Sequence, residues 1–330
     1  MPPTHPEAER DTFARRVRSG LGGTPKTLDP VYFYDALGSE LFEEITQQPE
    51  YYLTRTEAAL LEQCAPALGQ AMGNDVKLVE LGSGSSAKTT IVLESFLSSS
   101  DELHYFPIDV SRKMLLETAK RLDRKYPELN VTPIVSQYES GVRQASTLVA
   151  EDPEGPNRML VMFLGSSIGN MTPAAAREFV GGLCTHLEPK DALLIGFDLQ
   201  KDVAVLNAAY NDAAGVTARF NLNILSRINS ELGGEFDLDR FEHRAFYNAD
   251  AGRIEMHLRA TETHTVRVAA CASSFRFEAG ETIHTESSYK YVPEWIEALA
   301  ADSGLEVAEL FTDDAEWFAL ALLTPSHHRP

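Results

Sequence analysis

Two glycines, Gly82 and Gly84, follow the apolar run Lys77-Leu-Val-Glu-Leu81, and Asp109 closes a second such run, His104-Tyr-Phe-Pro-Ile-Asp109. Glycines at such a place permit a tight turn and let a ligand come close to the backbone. A carboxylate ending the next strand can accept hydrogen bonds from both hydroxyls of a ribose. Lys88 opens the helix beyond the turn, where it and the free backbone N–H groups can meet a ligand carboxylate. Gln137 and Tyr138 end the third strand-like run, where a purine would lie. The chemistry this spacing allows is the holding of a nucleoside-bearing cofactor. Each residue also has a plainer reading: a strand-to-helix turn, a solvated lysine, unremarkable polar groups. A Gly-x-Gly alone does not decide between them.

The elements that must position these residues are legible around them. Strand-like and helix-like segments alternate from about Lys77 to Leu199, as a parallel α/β sheet requires. Strands are expected at 77–81, 104–109, 131–135, 158–164 and 192–197. One helix runs from the glycine turn through Ser95, and one from a cap at Ser111 to about Tyr126. A third opens at Thr172-Pro173 and ends before Pro189. The rhythm then changes. Val216, Phe220, Ile224, Ile228 and Leu232 recur every four residues and predict one long amphipathic helix. Segments 254–258 and 266–270 alternate in polarity and predict strands with antiparallel pairing. A helix over 294–303 and strands over 306–310 and 317–323 close the chain.

Five parallel strands, a long insertion and a closing pair predict an α/β fold: a Rossmann-like seven-stranded methyltransferase core with a second, inserted α+β substrate lobe. The expected core is 61–200 with 290–330, and the expected lobe 1–60 with 201–289. An NAD enzyme would also place an acid near Asp109. Its first turn normally reads Gly-x-Gly-x-x-Gly, whereas the third position here is Ala87. That difference alone is tolerable, but the closing strand pair favours S-adenosylmethionine (SAM) over NAD.

Composition narrows the classes. Twenty-nine Lys plus Arg against 49 Asp plus Glu give a formal charge of −20, which disfavours nucleic acid and anionic membranes as partners. Cys64, Cys184 and Cys271 are too few and too scattered for a disulfide framework. Nine histidines show no metal-ligand spacing, and His327-His328 sits in a polar tail, so no metal is expected. The start of the chain is Pro-rich and acidic rather than signal-like. No apolar run reaches the roughly 20 residues of a membrane span. A cytoplasmic monomer is expected.

Five segments in order then resemble one family. They are Pro49-Glu-Tyr-Tyr-Leu-Thr-Arg-Thr-Glu57, Phe163-Leu-Gly-Ser-Ser-Ile-Gly-Asn-Met-Thr-Pro173, Ala208-Ala-Tyr-Asn-Asp-Ala-Ala-Gly-Val216, Arg253-Ile-Glu-Met-His-Leu258 and Gly280-Glu-Thr-Ile-His-Thr-Glu-Ser-Ser288. The resemblance runs over most of the chain, from Phe33-Tyr-Asp-Ala-Leu-Gly-Ser-Glu-Leu-Phe42 to the end of the last strand, and these segments are far more specific than a glycine turn. The chain resembles the histidine Nα-methyltransferases of ergothioneine biosynthesis. The resemblance implies stepwise conversion of free L-histidine to its trimethylated betaine, hercynine, with SAM as methyl donor.

By the same resemblance Asn170 and Tyr210 hold the substrate carboxylate, and Glu286 and Ser288 read the imidazole. Tyr34 and Tyr51 complete the amino-acid pocket, Gly165 approaches the amine and Met256 packs on the ring. If the stretch around Glu286 is extended, the i, i+2 spacing aims Glu286 and Ser288 to one face. No His, Lys or Asp stands out as a general base, and Tyr51 is the candidate for orienting the amine or relaying its proton. Plainer roles exist: Asn170 as a helix cap, Tyr210 as core, Met256 as gap-filler, Glu286 as a surface acid, and Tyr51 with Tyr52 as simple packing. Two positions depart from the family pattern. Gln137 stands where an acid is common, and its carbonyl can still accept from an adenine amino group. Ser287 replaces a β-branched residue and should face away from Glu286. The alternatives are the same fold acting on another aromatic amino acid, such as a tryptophan derivative, and a non-catalytic SAM-binding module; a dehydrogenase is more distant.

Overall fold

The computed structural model describes residues 6–326 except 74, 85, 87, 153, 154 and 156. Ala87, the first five residues and the His327-His328 pair therefore lie outside the described residues. The described chain divides into two compact units, one of Leu53–Gln200 with Lys290–Pro330 and one of Met1–Tyr52 with Lys201–Tyr289. Residues 53–60 thus go with the larger unit and not with the lobe. They are the first turns of one continuous helix, Leu53–Met72, whose apolar face packs on the larger unit's sheet.

In the larger unit, Lys77–Leu81 is buried along its whole length, as a strand covered on both faces must be. It pairs in parallel with Leu103–Asp109 on one side and Met159–Phe163 on the other. Ala192–Asp198 extends the parallel sheet beyond Met159–Phe163. Phe318–Pro325 runs antiparallel to Ala192–Asp198, and Leu305–Thr312 antiparallel to Phe318–Pro325 at the edge. With Leu129–Val131 and Ile134–Val135 beside Leu103–Asp109 as the third, the strands numbered along the chain lie in the order 3-2-1-4-5-7-6. The order reverses between the first and fourth strands, and ligands of open parallel sheets sit beyond the strand ends at that place.

Two local expectations need correction. The third strand is two pieces, Leu129–Val131 and Ile134–Val135, because Pro133 between them has no N–H to give a ladder. Ser111 is the cap of Arg112–Lys125 by position, but its side chain makes no capping bond. Its backbone N–H instead donates to Asp109 Oδ1 at 2.8 Å. The core is apolar: Leu60, Leu61, Cys64 and Leu68 of the long helix lie with Leu78, Leu160, Leu194 and Leu320 of the sheet. Burial pushes the Cys64 thiol up to about 12.

The smaller unit is built on a four-stranded sheet. Thr282–Tyr289 pairs antiparallel with Arg253–Ala260, which pairs antiparallel with Phe241–Asn248. The two-residue strand Lys26–Thr27 runs parallel to Thr282–Tyr289 on its other side. Segment 254–258 therefore pairs with these strands and not with 266–270. The latter region forms a hairpin of His264–Val268 and Ser273–Phe277. The helix Val216–Leu232 buries Val216, Phe220, Ile224, Ile228 and Leu232, the five residues whose four-residue period marks it.

Candidate functional site

In the larger unit the turn after the first strand is held by its own backbone. Gly82 and Gly84 take φ of +66° and +47°, which side chains rarely adopt. Gly84 N–H donates to Asp109 Oδ2 at 3.2 Å. A carboxylate offers about four acceptor sites, so Asp109, which also receives Ser111, keeps capacity for two hydroxyls. A Cβ added at Gly82 would lie 3.0 Å from the Tyr138 hydroxyl, whereas at Gly84 it would meet nothing nearer than 3.9 Å. The space beside Gly84 is open, and these residues fit a nucleoside donor. Tyr138 stacks edge-on against Phe163 at 5.4 Å, and burial with nearby Asp109 raises its pKa. Gln137 precedes Tyr138–Ala150 as its cap position, exposed and without a capping bond.

Beneath the turn lies Glu80, buried and accepting from Tyr105 and Thr89 hydroxyls. Burial pushes its pKa up to about 7 against the lowering effect of those hydroxyls. Lys88 is not a free solvated residue. Its Nζ pairs with Glu57, a carboxylate with no exposure, whose other oxygen accepts the Gly165 N–H at 2.7 Å. Gly165, at φ +81°, and Ser166, at φ +53°, turn the chain after the fourth strand. Ser166 Oγ accepts the Asp198 N–H at 2.8 Å, which fixes that loop to the fifth strand. The loop ends in the short turn Ser167–Asn170, where Asn170 is exposed. Asn170 does not cap the next helix; Thr172 does, its Oγ1 accepting from Ala175 N–H at 3.2 Å. Glu57 ends one of the matched segments but was not among the expected site residues; its sequence signal is a lone acid on the apolar face of a helix.

In the smaller unit the strand Thr282–Tyr289 is extended, and a register shift falls between His284 and Glu286. Glu286 faces Met256 and Ser288 faces Ile254, so Glu286, Ser288 and Met256 share one face. Ser287 pairs with Glu255 on the other face and lies 3.1 Å from His284 Nε2. Glu286 is 9% exposed, which removes the reading of a surface acid. Tyr210 is buried at the end of Val203–Ala209, and its hydroxyl donates to Ser288 Oγ at 2.9 Å. His243 Nε2 lies 2.9 Å from the Tyr210 carbonyl, and its Nδ1 2.9 Å from Asn221 Nδ2. Burial lowers the His243 pKa, so the neutral ring donates to Tyr210 and accepts from Asn221. Tyr51 is buried edge-on to Tyr210 at 6.4 Å, and Tyr34, more exposed, lies against Phe42 and Phe220 at 5.7 Å.

Glu255, His257 and His284 converge on the face opposite Glu286. The first two stand two apart on one strand, a visible pattern, but their partner lies on the neighbouring strand. Burial lowers the pKa of both histidines, and against the effect of burial Arg253, His257 and Asn248 hold Glu255 at about 2.

The residues of the larger unit's turn fit a ribose-bearing donor, and the smaller unit gathers Glu286, Ser288 and Tyr210 on one face of its sheet. Residues 13–325 match the family described as "Histidine-specific methyltransferase, SAM-dependent". The histidine N-alpha-methyltransferase of Mycolicibacterium smegmatis is 43% identical over 316 residues, covering 96% of both chains. That of Mycobacterium tuberculosis is 42% identical over 308 residues, covering 93% of both. Ergothioneine biosynthesis protein 1 of Neurospora crassa is 31% identical over 306 residues, covering 92% of this chain and 33% of that one. Similarity sustained across both units leads to one conclusion: the chain belongs to the SAM-dependent, histidine-specific methyltransferases.

Proposed function

We propose the following division of roles for this chain, a SAM-dependent histidine Nα-methyltransferase that forms hercynine and serves ergothioneine biosynthesis. Asp109 accepts the donor's ribose hydroxyls, Gly82 and Gly84 let its chain lie on the turn, and Gln137 and Tyr138 border its base. Lys88 meets the donor's carboxylate, which requires it to share its charge with Glu57. Asn170 and Tyr210 hold the histidine carboxylate, Tyr210 by turning its one hydroxyl proton from Ser288 to the substrate, while Glu286 and Ser288 accept and orient the imidazole. Tyr34, Gly165 and Met256 shape the space around ring and amine.

When bound, SAM supplies a methyl group already activated by a sulfonium. What the chain must add is alignment, with the amine nitrogen about 3–3.5 Å from the methyl carbon and in line with the breaking bond. Each transfer forms one N–C bond as one S–C bond breaks. Starting from the neutral amine, the first two transfers each release a proton, and the third leaves a fixed positive charge. Tyr51 orients the amine or passes its proton to water, and the faces of Tyr51 and Tyr34 accommodate the growing cation. His243 is committed to Tyr210 and Asn221, so its role is positioning. The setting is a cytoplasmic monomer. No helix among the described residues is long and apolar enough to cross a membrane, and mass in solution tests the monomer.

The observation that supports this reading most is the strand Thr282–Tyr289, whose register turns Glu286 and Ser288 to one face with Ser288 bonded to Tyr210. Incubation with SAM and each free amino acid in turn, with products weighed by mass spectrometry, tests it. Histidine carrying three added methyls is the expected product. Methylated tryptophan in place of it would establish the other-amino-acid reading, and no turnover with SAM bound would leave a binding module.

A further inference from the structure

The face of the small sheet opposite Glu286 carries a second group of polar side chains that methyl transfer does not use. Glu255 and His257 stand on Arg253–Ala260, and His284 is the register partner of His257 on Thr282–Tyr289. One ligating atom from each of the three lies within 4.8 Å of the others. The two rings are 4.9 Å apart and inclined by 32°. His257 Nε2 is 3.1 Å from Glu255 Oε2, and His257 Nδ1 is buried with no hydrogen-bond partner.

The surroundings hold the carboxylate in place. Glu255 Oε1 accepts from Arg253 Nη2 at 2.7 Å, Arg253 Nε at 2.9 Å and Asn248 Nδ2 at 3.0 Å. That leaves Oε2 directed at the histidines, the kind of outer support that orients metal ligands. Phe246 stacks on His257 at 5.5 Å and 9°, fixing the plane of its ring. His284 Nε2 lies 2.9 Å from the Glu286 carbonyl and 3.1 Å from Ser287 Oγ.

We propose that Glu255, His257 and His284 bind one divalent transition-metal ion of the zinc class. Two imidazoles and one carboxylate suit zinc, nickel, copper or iron, and are too nitrogen-rich for magnesium or calcium. Three protein ligands leave a position for water or a solute, unlike the four of a closed structural site. Thiols do not compete, because Cys64, Cys184 and Cys271 are all buried. The inference is independent of the histidine-methylating reading, since it rests on the opposite face of the sheet.

The test uses the full chain carrying His327→Ala and His328→Ala, so that the neighbouring imidazoles of the sequence's end contribute nothing. After dialysis against a chelator, titration with Zn2+ against a chromophoric competitor should show one tight site per chain. His257→Ala and His284→Ala should each weaken it at least about tenfold. No such site, or equal uptake by the doubly substituted His257→Ala, His284→Ala chain, overturns the proposal. Should those substitutions unfold the sheet, the chain with both rings intact decides. Loaded with Co2+, it should show ring N–H resonances of two histidines shifted by the paramagnetic ion, and their absence overturns the proposal equally.

Discussion

The glycine turn of the larger unit and the strand Thr282–Tyr289 of the smaller both offer polar groups to a small molecule, but they are built differently. The turn is shaped by backbone: two glycines with positive φ, and an N–H that donates to Asp109. The strand is shaped by its neighbours: a register shift against Arg253–Ala260, and Tyr210 reaching Ser288 from 78 positions away. A feature made by local conformation suits a ligand common to many enzymes. Selectivity for one substrate is carried by side chains whose placement depends on distant partners.

The largest expected effect breaks the strand's half of the comparison. Glu286→Ala should lower kcat/KM for histidine by about a thousandfold, the scale of leaving a substrate N–H without its built partner. Steady-state rates check it, and a loss below tenfold would remove Glu286 from the imidazole. The turn's half is broken by Asp109→Ala. Losing two charge-assisted hydrogen bonds should weaken SAM by about a hundredfold. Calorimetric titration of SAM measures this, and unchanged affinity would place the ribose elsewhere.

A third prediction concerns stability under the turn. Burial holds the Glu80 pKa at about 7 against an ordinary 4.5, so the folded chain binds that proton more tightly than the unfolded chain. The stabilisation is complete below the ordinary value and is lost as pH rises through 7. Wild type should therefore lose stability relative to Glu80→Gln between about pH 5 and pH 8, as read by urea unfolding at both ends. A constant difference would contradict it. The smallest effect sharpens the strand. Tyr210→Phe removes one buried hydrogen bond to Ser288 and one contact to substrate, and should raise KM for histidine by about five- to tenfold with SAM affinity intact. An equal loss for both ligands would mean a general structural fault.

Much of the larger unit was legible because its signals are local. Buried apolar runs separated by helices specify a parallel sheet, and the glycines mark the turn. The break at Pro133 is local too: a residue without an N–H splits a run of β-branched residues that otherwise reads as one strand. The smaller unit was harder to read. Its helix Val216–Leu232 declared itself by period, whereas Phe241–Asn248 and Ser273–Phe277 carry mixed polarity and went unread as strands. Pairing of 254–258 depended on partners that periodicity cannot name. Among site residues, Glu286 and Ser288 were singled out by resemblance and spacing. Glu57 was marked only by its place as a lone acid on the apolar face of a helix, and its partners Lys88 and Gly165 lie far along the chain. The Glu255, His257 and His284 group escaped because cross-strand neighbours are far apart along the chain.

The claim on which the account turns is that Glu286 confers selectivity without touching the donor. The direct measurement is the ratio of kcat/KM for histidine to that for tryptophan at saturating SAM, in wild type and in Glu286→Ala, with SAM affinity determined on both. The account predicts a ratio that collapses toward unity while SAM affinity stays within about twofold, because an uncharged pocket no longer rewards an imidazole N–H. A ratio that survives the substitution, or falls together with SAM affinity, would contradict it.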